Sequence, residues 1–175
     1  VMHQERSGVQ HRYVYEDTAD EAQLKAQGHV LRPGARVVAQ NNEAGELSYR
    51  FEYLGAKEAA GAGSAQSSGC RVTDSLGRVS LYHFEGSAGL KRLVSLSHPD
   101  GSQERWGYDA AGRRTQHLDE LGRQTYWRYD GRGQLLGVQR PGGLQSSQGW
   151  GEVGSEHEGL LISSTDEVGR TSRYM

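Results

Sequence analysis

The sequence predicts an all-β fold, an antiparallel meander of short strands joined by tight turns. Three observations carry that prediction. Asp-x-x-Gly occurs at Asp74–Gly77, Asp109–Gly112, Asp119–Gly122, Asp130–Gly133 and Asp166–Gly169, and Arg follows the glycine at Arg78, Arg113, Arg123 and Arg170. Glycines in turn-like contexts at 77, 89, 101, 112, 122, 133, 143 and 154 recur every 10 to 12 residues, the spacing of one strand plus one turn. The intervening segments alternate in character, with Thr125, Trp127 and Tyr129 opposing Gln124, Tyr126 and Arg128.

Each turn follows from its residue types. A type I turn favours Asp at its first position, because the carboxylate accepts a hydrogen bond from a backbone N–H two residues on. Glycine at the exit reaches positive φ without a Cβ clash, which completes a three-residue hairpin loop with a bulge. The aspartates and glycines at 74, 77, 109, 112, 119, 122, 130, 133, 166 and 169 are therefore read as structural turn residues. Asn42-Glu-Ala-Gly45, His98-Pro-Asp-Gly101 and Arg140-Pro-Gly-Gly143 are variants of the same device, and Pro33 also sits directly before a glycine. Arg78 to Phe84 alternates as a strand, with Val79, Leu81 and His83 opposing Ser80, Tyr82 and Phe84.

Along the chain, residues 1–54 form a strand-rich segment with pieces at Val9–Tyr15, Arg36–Gln40 and Leu47–Tyr53. Thr18-Ala-Asp-Glu21 resembles a capping box and predicts a short helix over Ala19–Gln27, stopped by Gly28. Residues 55–69, small and polar, predict a mobile loop. Residues 70–175 form the regular repeat array. Two turn classes alternate in it over 108–133. An aromatic precedes the turn at Tyr108 and Tyr129, with Trp150-Gly-Glu-Val-Gly154 as a decayed copy; the other class carries Asp-x-x-Gly-Arg without it. Over 108–133 the two-hairpin period is about 21 residues.

Composition narrows the function classes. With 34% hydrophobic residues, 2 Phe, 9 Tyr and 3 Trp, the chain predicts a thin layer of buried contacts rather than a deep core. The net charge of −2, with arginines spread one per turn, offers no basic stripe for nucleic acid. No apolar run approaches the ~18 residues of a membrane-spanning helix. The polar start Val-Met-His-Gln-Glu has no signal-peptide pattern, and the absence of Met at position 1 predicts that the chain is part of a longer protein.

No catalytic, cofactor-binding or metal-ligating residues are expected, and the chain is read as non-enzymatic. Cys70, the single cysteine, lies in a strand pattern and reads as a small buried hydrophobe. Glu156-His157-Glu158 would point to alternate faces of a strand and reads as a solvated loop, and His98 and Asp100 flank Pro99 in a turn. The turn aspartates lack the alternate-position carboxylates and distal Glu of a calcium loop. The turn arginines either pair with nearby carboxylates or stack on tyrosines, with a ligand-binding row as the functional alternative.

Tyr108-Asp-Ala-Ala-Gly-Arg113, followed by Asp119-Glu-Leu-Gly-Arg-Gln-Thr-Tyr-Trp-Arg-Tyr-Asp130, resembles the YD repeats of the rearrangement-hotspot (Rhs) family. Asp74-Ser-Leu-Gly-Arg-Val-Ser-Leu-Tyr-His-Phe84 and Asp166-Glu-Val-Gly-Arg-Thr-Ser-Arg-Tyr174 fit the same pattern. The match covers residues 70–175; Tyr13-Val-Tyr15 and Tyr49-Arg-Phe-Glu-Tyr53 look like diverged copies. The resemblance implies a β-sheet curling as part of a large hollow spiral shell, as in bacterial polymorphic toxins, insecticidal toxin-complex C components and teneurins. It implies that this shell encapsulates a C-terminal toxin, as in type VI secretion effectors used in interbacterial competition. The implied partners are the rest of the shell, the enclosed toxin, a secretion spike protein and an adaptor chaperone. The implied location is the bacterial cytoplasm before export, then secretion or delivery into a target cell. The chain departs from the family in having no Asp-Pro of the self-cleavage motif Asp-Pro-x-Gly and no distinct toxin segment. The alternative reading is a carbohydrate or cell-surface binding module that stacks sugar rings on aromatics such as Trp127. An isolated arc of wall is expected to be marginally soluble or to self-associate.

Overall fold

The computed structural model describes residues 2–4, 10–16, 35–42, 48–55, 67–87 and 89–174. They form antiparallel strands with no α-helix among them. The chain divides into two compact units, Val1–Gly101 and Ser102–Met175.

The first unit holds β1 (Met2–Gln4), β2 (Gln10–Tyr15), β3 (Val37–Asn42), β4 (Ser48–Leu54), β5 (Ser68–Asp74), β6 (Val79–Glu85) and β7 (Arg92–Ser97). Each strand pairs antiparallel with the next, for example Tyr53↔Cys70↔Tyr82 and Phe51↔Val72 across β4, β5 and β6. The second unit holds β8 (Gln103–Tyr108), β9 (Arg114–Leu118), β10 (Gln124–Tyr129), β11 (Leu135–Gln139), β12 (Gln145–Trp150), β13 (Leu161–Thr165) and β14 (Thr171–Arg173), again in sequential antiparallel pairs.

The sequence phase is visible in β10, where Thr125, Trp127 and Tyr129 are half-buried and Gln124, Tyr126 and Arg128 are exposed. Burial is thin. Leu96 and Val138, each 9% exposed, are the buried hydrophobic side chains among the described residues. Within each unit the described strands lie side by side in a sheet, so each is packed chiefly by its neighbours in that sheet.

Several expectations need adjustment. At the start β2 keeps its predicted end at Tyr15, while β3 and β4 end at Asn42 and Leu54, two residues and one residue past the predicted ends. The predicted helix at Ala19–Gln27, the turn residues 43–45, Pro33-Gly34 and most of the 55–69 loop lie outside the described residues. The loop expectation fails at its end. Ser67 is buried at 3% exposure, and Ser68 and Gly69 already belong to β5. These small residues reflect close packing rather than mobility. A Cβ on Gly69 would stand 3.3 Å from the Tyr82 carbonyl oxygen and 3.4 Å from Leu54.

The decayed copy at Trp150–Gly154 is also not a simple strand reversal. β12 and β13 are joined by residues 151–160, folded as successive turns with Ser155 N–H donating to Glu152 O at 3.2 Å and Glu158 N–H to Ser155 O at 3.1 Å. Gly151 stands where the other turns have Asp, so the residue at that position supplies no carboxylate to the turn amides. The Arg140 turn differs in type. Gly142 has φ 80° and ψ 6°, the second central geometry of a type II turn.

Candidate functional site

The repeated turn folds the same way at each Asp-x-x-Gly copy. The aspartate carbonyl accepts the glycine N–H at 2.9 to 3.2 Å, and the aspartate N–H donates back to the carbonyl of the residue after the glycine at 2.9 to 3.0 Å. Gly77, Gly112, Gly122, Gly133 and Gly169 all lie at φ between 75° and 91°, the left-handed region that a side chain would strain. The carboxylate closes the loop. Oδ1 of Asp74 accepts the N–H groups of Leu76 and Arg78 at 2.9 Å, and Oδ2 accepts Arg78 Nε at 2.7 Å. Asp119 and Asp166 repeat the three contacts with Arg123 and Arg170, and Asp109 pairs with Arg113 through both backbone and side chain.

These donors hold the carboxyls of Asp74, Asp109, Asp119 and Asp166 below their ordinary value of 3.8. For Asp109 and Asp166 the leading cause is the N–H of the following arginine. For Asp74 and Asp119 desolvation is the largest single influence and acts upward, but the combined hydrogen bonds from Arg78 or Arg123 and the turn amides outweigh it.

The two turn classes sort to opposite ends of the second unit, because connections in a meander alternate ends. The turns at Asp119, Arg140 and Asp166 join β9–β10, β11–β12 and β13–β14 at one end. The aromatic-led turns at Asp109 and Asp130, with residues 151–160, share the other. At that second end the turns are tied to each other. Arg113 Nη1 donates to Asp130 O at 2.9 Å, and its guanidinium lies 5.0 Å from the Tyr129 ring. Gln134, standing where the other turns have Arg, donates to Gly159 O at 3.3 Å. Arg132 bonds Glu158 Oε1 at 2.5 Å, and Glu158 Oε2 accepts Gly154 N–H at 2.7 Å. Glu158 thus supplies the carboxylate that Gly151 lacks, and the Gly154 amide followed by Arg132 lowers its pKa. At the other end Arg140 bonds Glu167. The turn arginines therefore serve structure in both of the ways the sequence allows, by carboxylate pairing and, at Arg113, by ring stacking.

Each unit also carries a groove on its sheet. In the first unit a groove of about 750 Å³ is lined by Phe51 and Tyr53 of β4, Cys70 and Val72 of β5, and Tyr82 and Phe84 of β6. Arg36 stacks on the Tyr53 ring at 4.3 Å, and the Tyr53 hydroxyl donates to Val37 O at 2.9 Å. Burial pushes the Tyr53 hydroxyl and the Cys70 thiol above their ordinary values, with the Arg36 charge acting the other way on both. In the second unit a groove of about 760 Å³ is polar, with Tyr126 and Arg128 of β10, Gln139 of β11, Gln145 and Ser147 of β12 and Thr165 of β13.

No group of three or more His, Cys, Asp or Glu is placed to hold a metal among the described residues. Glu156 and His157 remain exposed in the 151–160 loop, apart from any cluster. Sequence reasoning missed Glu158 as a turn residue, since its partners Arg132 and Gly154 are 26 and 4 positions away with no repeated spacing between them. His117 was also missed. It pairs with Glu104 at 2.7 Å and stacks on Trp106 with ring centres 5.3 Å apart.

The RHS Repeat family model matches residues 89–124. Over 170 residues, 97% of the chain, the sequence is 34% identical to Toxin protein Tse5 of Pseudomonas aeruginosa, and it spans 11% of the length of that relative. Similar solved structures include the crystal structure of TcdB2-TccC3-TEV and a Photorhabdus luminescens Tc holotoxin pore carrying a TccC3 mutation. Each has a TM-score of 0.29 and 12% identity, and the match covers 95% of this chain and 11% of that one.

Proposed function

The chain belongs to the Rhs repeat family, and from that premise we propose that it forms part of the wall of an Rhs-type toxin shell. The observation that carries this reading is the turn itself. The Asp-x-x-Gly-Arg cradle recurs with the same hydrogen bonds in both units, on a chain 34% identical over 97% of its length to a toxin protein. A repeat whose every unit adds one strand to a sheet builds area rather than a catalytic pocket, so the proposed role is non-enzymatic.

In this reading the sheet curls with its continuation into a hollow spiral whose successive coils cover the strand edges. The shell encloses a C-terminal toxin and keeps it from acting before delivery. The parent protein is held in the bacterial cytoplasm, leaves by the type VI route with a spike protein and an adaptor chaperone, and acts in competition between bacteria. The half-buried aromatic faces support the enclosure, because a one-layer sheet needs a second surface against its apolar side.

The test uses the full-length parent. Limited proteolysis of the intact protein should leave the toxin segment resistant while the shell is whole, and denaturing the shell should release it to digestion. Digestion of the toxin segment in the intact protein at the rate of the isolated segment overturns encapsulation. Expressed alone, the 175-residue chain should self-associate in sedimentation; a stable, clean monomer counts against a wall that depends on neighbouring coils.

A further inference from the structure

We propose that the polar groove of the second unit is a binding site for a carboxylated oligosaccharide. The register of the strands builds it from two rows that cross the sheet. Tyr126, Gln139 and Gln145 stand opposite one another across β10, β11 and β12. Arg128, Gly137, Ser147 and Thr165 form the next row.

Three features separate this groove from an ordinary solvated sheet face. The first is the Tyr126 ring. It is 36% exposed, and its hydroxyl donates to Gln124, two residues back on the same side of the strand. That bond holds the polar edge of the ring at the strand while part of the ring stays in solvent at the groove, and an amphipathic ring so held can pack a sugar ring against apolar carbon.

The second is the charge. Arg113, Arg123 and Arg170 are held by their turn aspartates, Arg132 by Glu158 and Arg140 by Glu167. The Asp166 and Glu167 carboxylates at the groove rim are thus already neutralised. Arg128, also lining the groove, is exposed and has no carboxylate partner among the described residues. The groove therefore carries one uncompensated positive charge, in the planar form suited to bidentate pairing with a carboxylate.

The third is the space and its donors. Gly137 leaves the position facing Arg128 without a side chain, and the backbone requires this, since a Cβ there would lie 2.7 Å from the Ser146 carbonyl oxygen. The Gln139 and Gln145 amides, each with donor and acceptor, and the Ser147 and Thr165 hydroxyls line the remaining floor. A volume of about 760 Å³ lies in the range of small-ligand sites. A flat ring, an array of amides and hydroxyls and a lone guanidinium match a sugar ring, its hydroxyls and a uronate carboxylate. A bare phosphate would use the guanidinium alone and leave the ring and amides idle. Trp127, the ring that the sequence alone would choose for such a role, points to the opposite face and lies under Arg114 at 5.6 Å.

The site does not depend on what the shell encloses, so its test is separate from that of encapsulation. The full-length parent is titrated by calorimetry with trigalacturonate, with the neutral galactotriose and with inorganic phosphate. Trigalacturonate is expected to bind at least ten-fold more tightly than the neutral sugar. Arg128→Gln should remove that preference, and Tyr126→Ala should weaken the acidic and neutral sugars together by ten-fold or more. Leu76→Ala, at an exposed turn tip in the first unit, should change neither. Arg128→Gln alters an exposed side chain with no carboxylate partner among the described residues, so it reports on the site independently of Tyr126→Ala. Absence of binding at millimolar sugar, equal binding of the two sugars, phosphate binding as tight as the acidic sugar, or binding indifferent to both variants each overturns the proposal.

Discussion

The grooves of the two units are nearly equal in volume and differ in chemistry. In Val1–Gly101 the floor is aromatic, with Phe51, Tyr53, Tyr82 and Phe84 around Cys70 and Val72. In Ser102–Met175 it is polar, with Gln139, Gln145, Ser147 and Thr165 beside Tyr126 and Arg128. Both stand on the same hairpin device, and the Asp74 cradle of the first unit matches the Asp119 cradle of the second contact for contact. The difference shows that the turns set strand length and direction and leave the faces open. A repeat array can thus carry an apolar surface in one stretch and a hydrogen-bonding surface in the next without altering its frame.

The comparison can be broken most severely at the backbone. Gly137→Ala pushes a methyl toward the Ser146 carbonyl, and should cost about 1–3 kcal/mol, read as a fall in the denaturant midpoint. Gly69→Ala, whose nearest neighbour is 3.3 Å away, should cost distinctly less. Equal losses would mean that the polar groove has no tighter backbone than the aromatic one.

The side chains come next. Phe51 is half-buried in its groove, so Phe51→Ala should cost roughly 2 kcal/mol, about half of the penalty for a fully enclosed ring. Tyr126→Ala should stay within about 0.5 kcal/mol, as exposed sites do. If thermal melts show equal costs, the two floors do not differ in packing as their composition indicates.

Acid should act on the turn cradles of both units, one in the first and three in the second. The turn aspartates at 74, 109, 119 and 166 have folded values below 3.8, so the stability they contribute is whole above the unfolded value and is lost as pH falls through the folded ones. Melting temperature should therefore hold steady from neutral pH to about pH 4 and drop below it. Asp74→Asn and Asp119→Asn should each lower the melt at neutral pH and flatten the acid limb. An unchanged acid limb in both variants would remove the shared frame from the comparison.

The smallest effect concerns Cys70. Burial raises its thiol above 9.0, so its alkylation by iodoacetamide near pH 8.5 should run slower than that of a free cysteine and recover on unfolding. A rate equal to the free thiol would show that the aromatic floor is open to water at this point.

Much of the scaffold was legible in the chain. Asp-x-x-Gly gave the reversals, and the alternation in Gln124–Tyr129 gave the face of each side chain, because both are local properties of a few residues. The burial of Ser67 was not legible. A small polar stretch reads as a loop unless the strand packing against it is known. The 151–160 connection was hidden for a similar reason, since the carboxylate that organises it arrives from Glu158 and reaches Arg132, far back in sequence. The candidate groove was half legible. Tyr126 and Arg128 fall on one face by simple alternation, but their neighbours Gln139, Gln145 and Ser147 are chosen by the register of two further strand pairs.

The sequence by itself determined that this protein is a meander of strands between Asp-x-x-Gly turns, because turn chemistry and two-residue alternation act over distances of a few bonds. It also determined that two turn classes alternate. Opposite ends for the two classes follow from that alternation, but the folded structure decided that the turns at one end of the second unit are laced together by Arg113, Gln134 and Arg132. Only it decided which arginines are spent on turn carboxylates and that Arg128 is not. Charges and rings gain or lose partners across strands, and cross-strand register is settled by the pairing of the whole sheet rather than by any one segment.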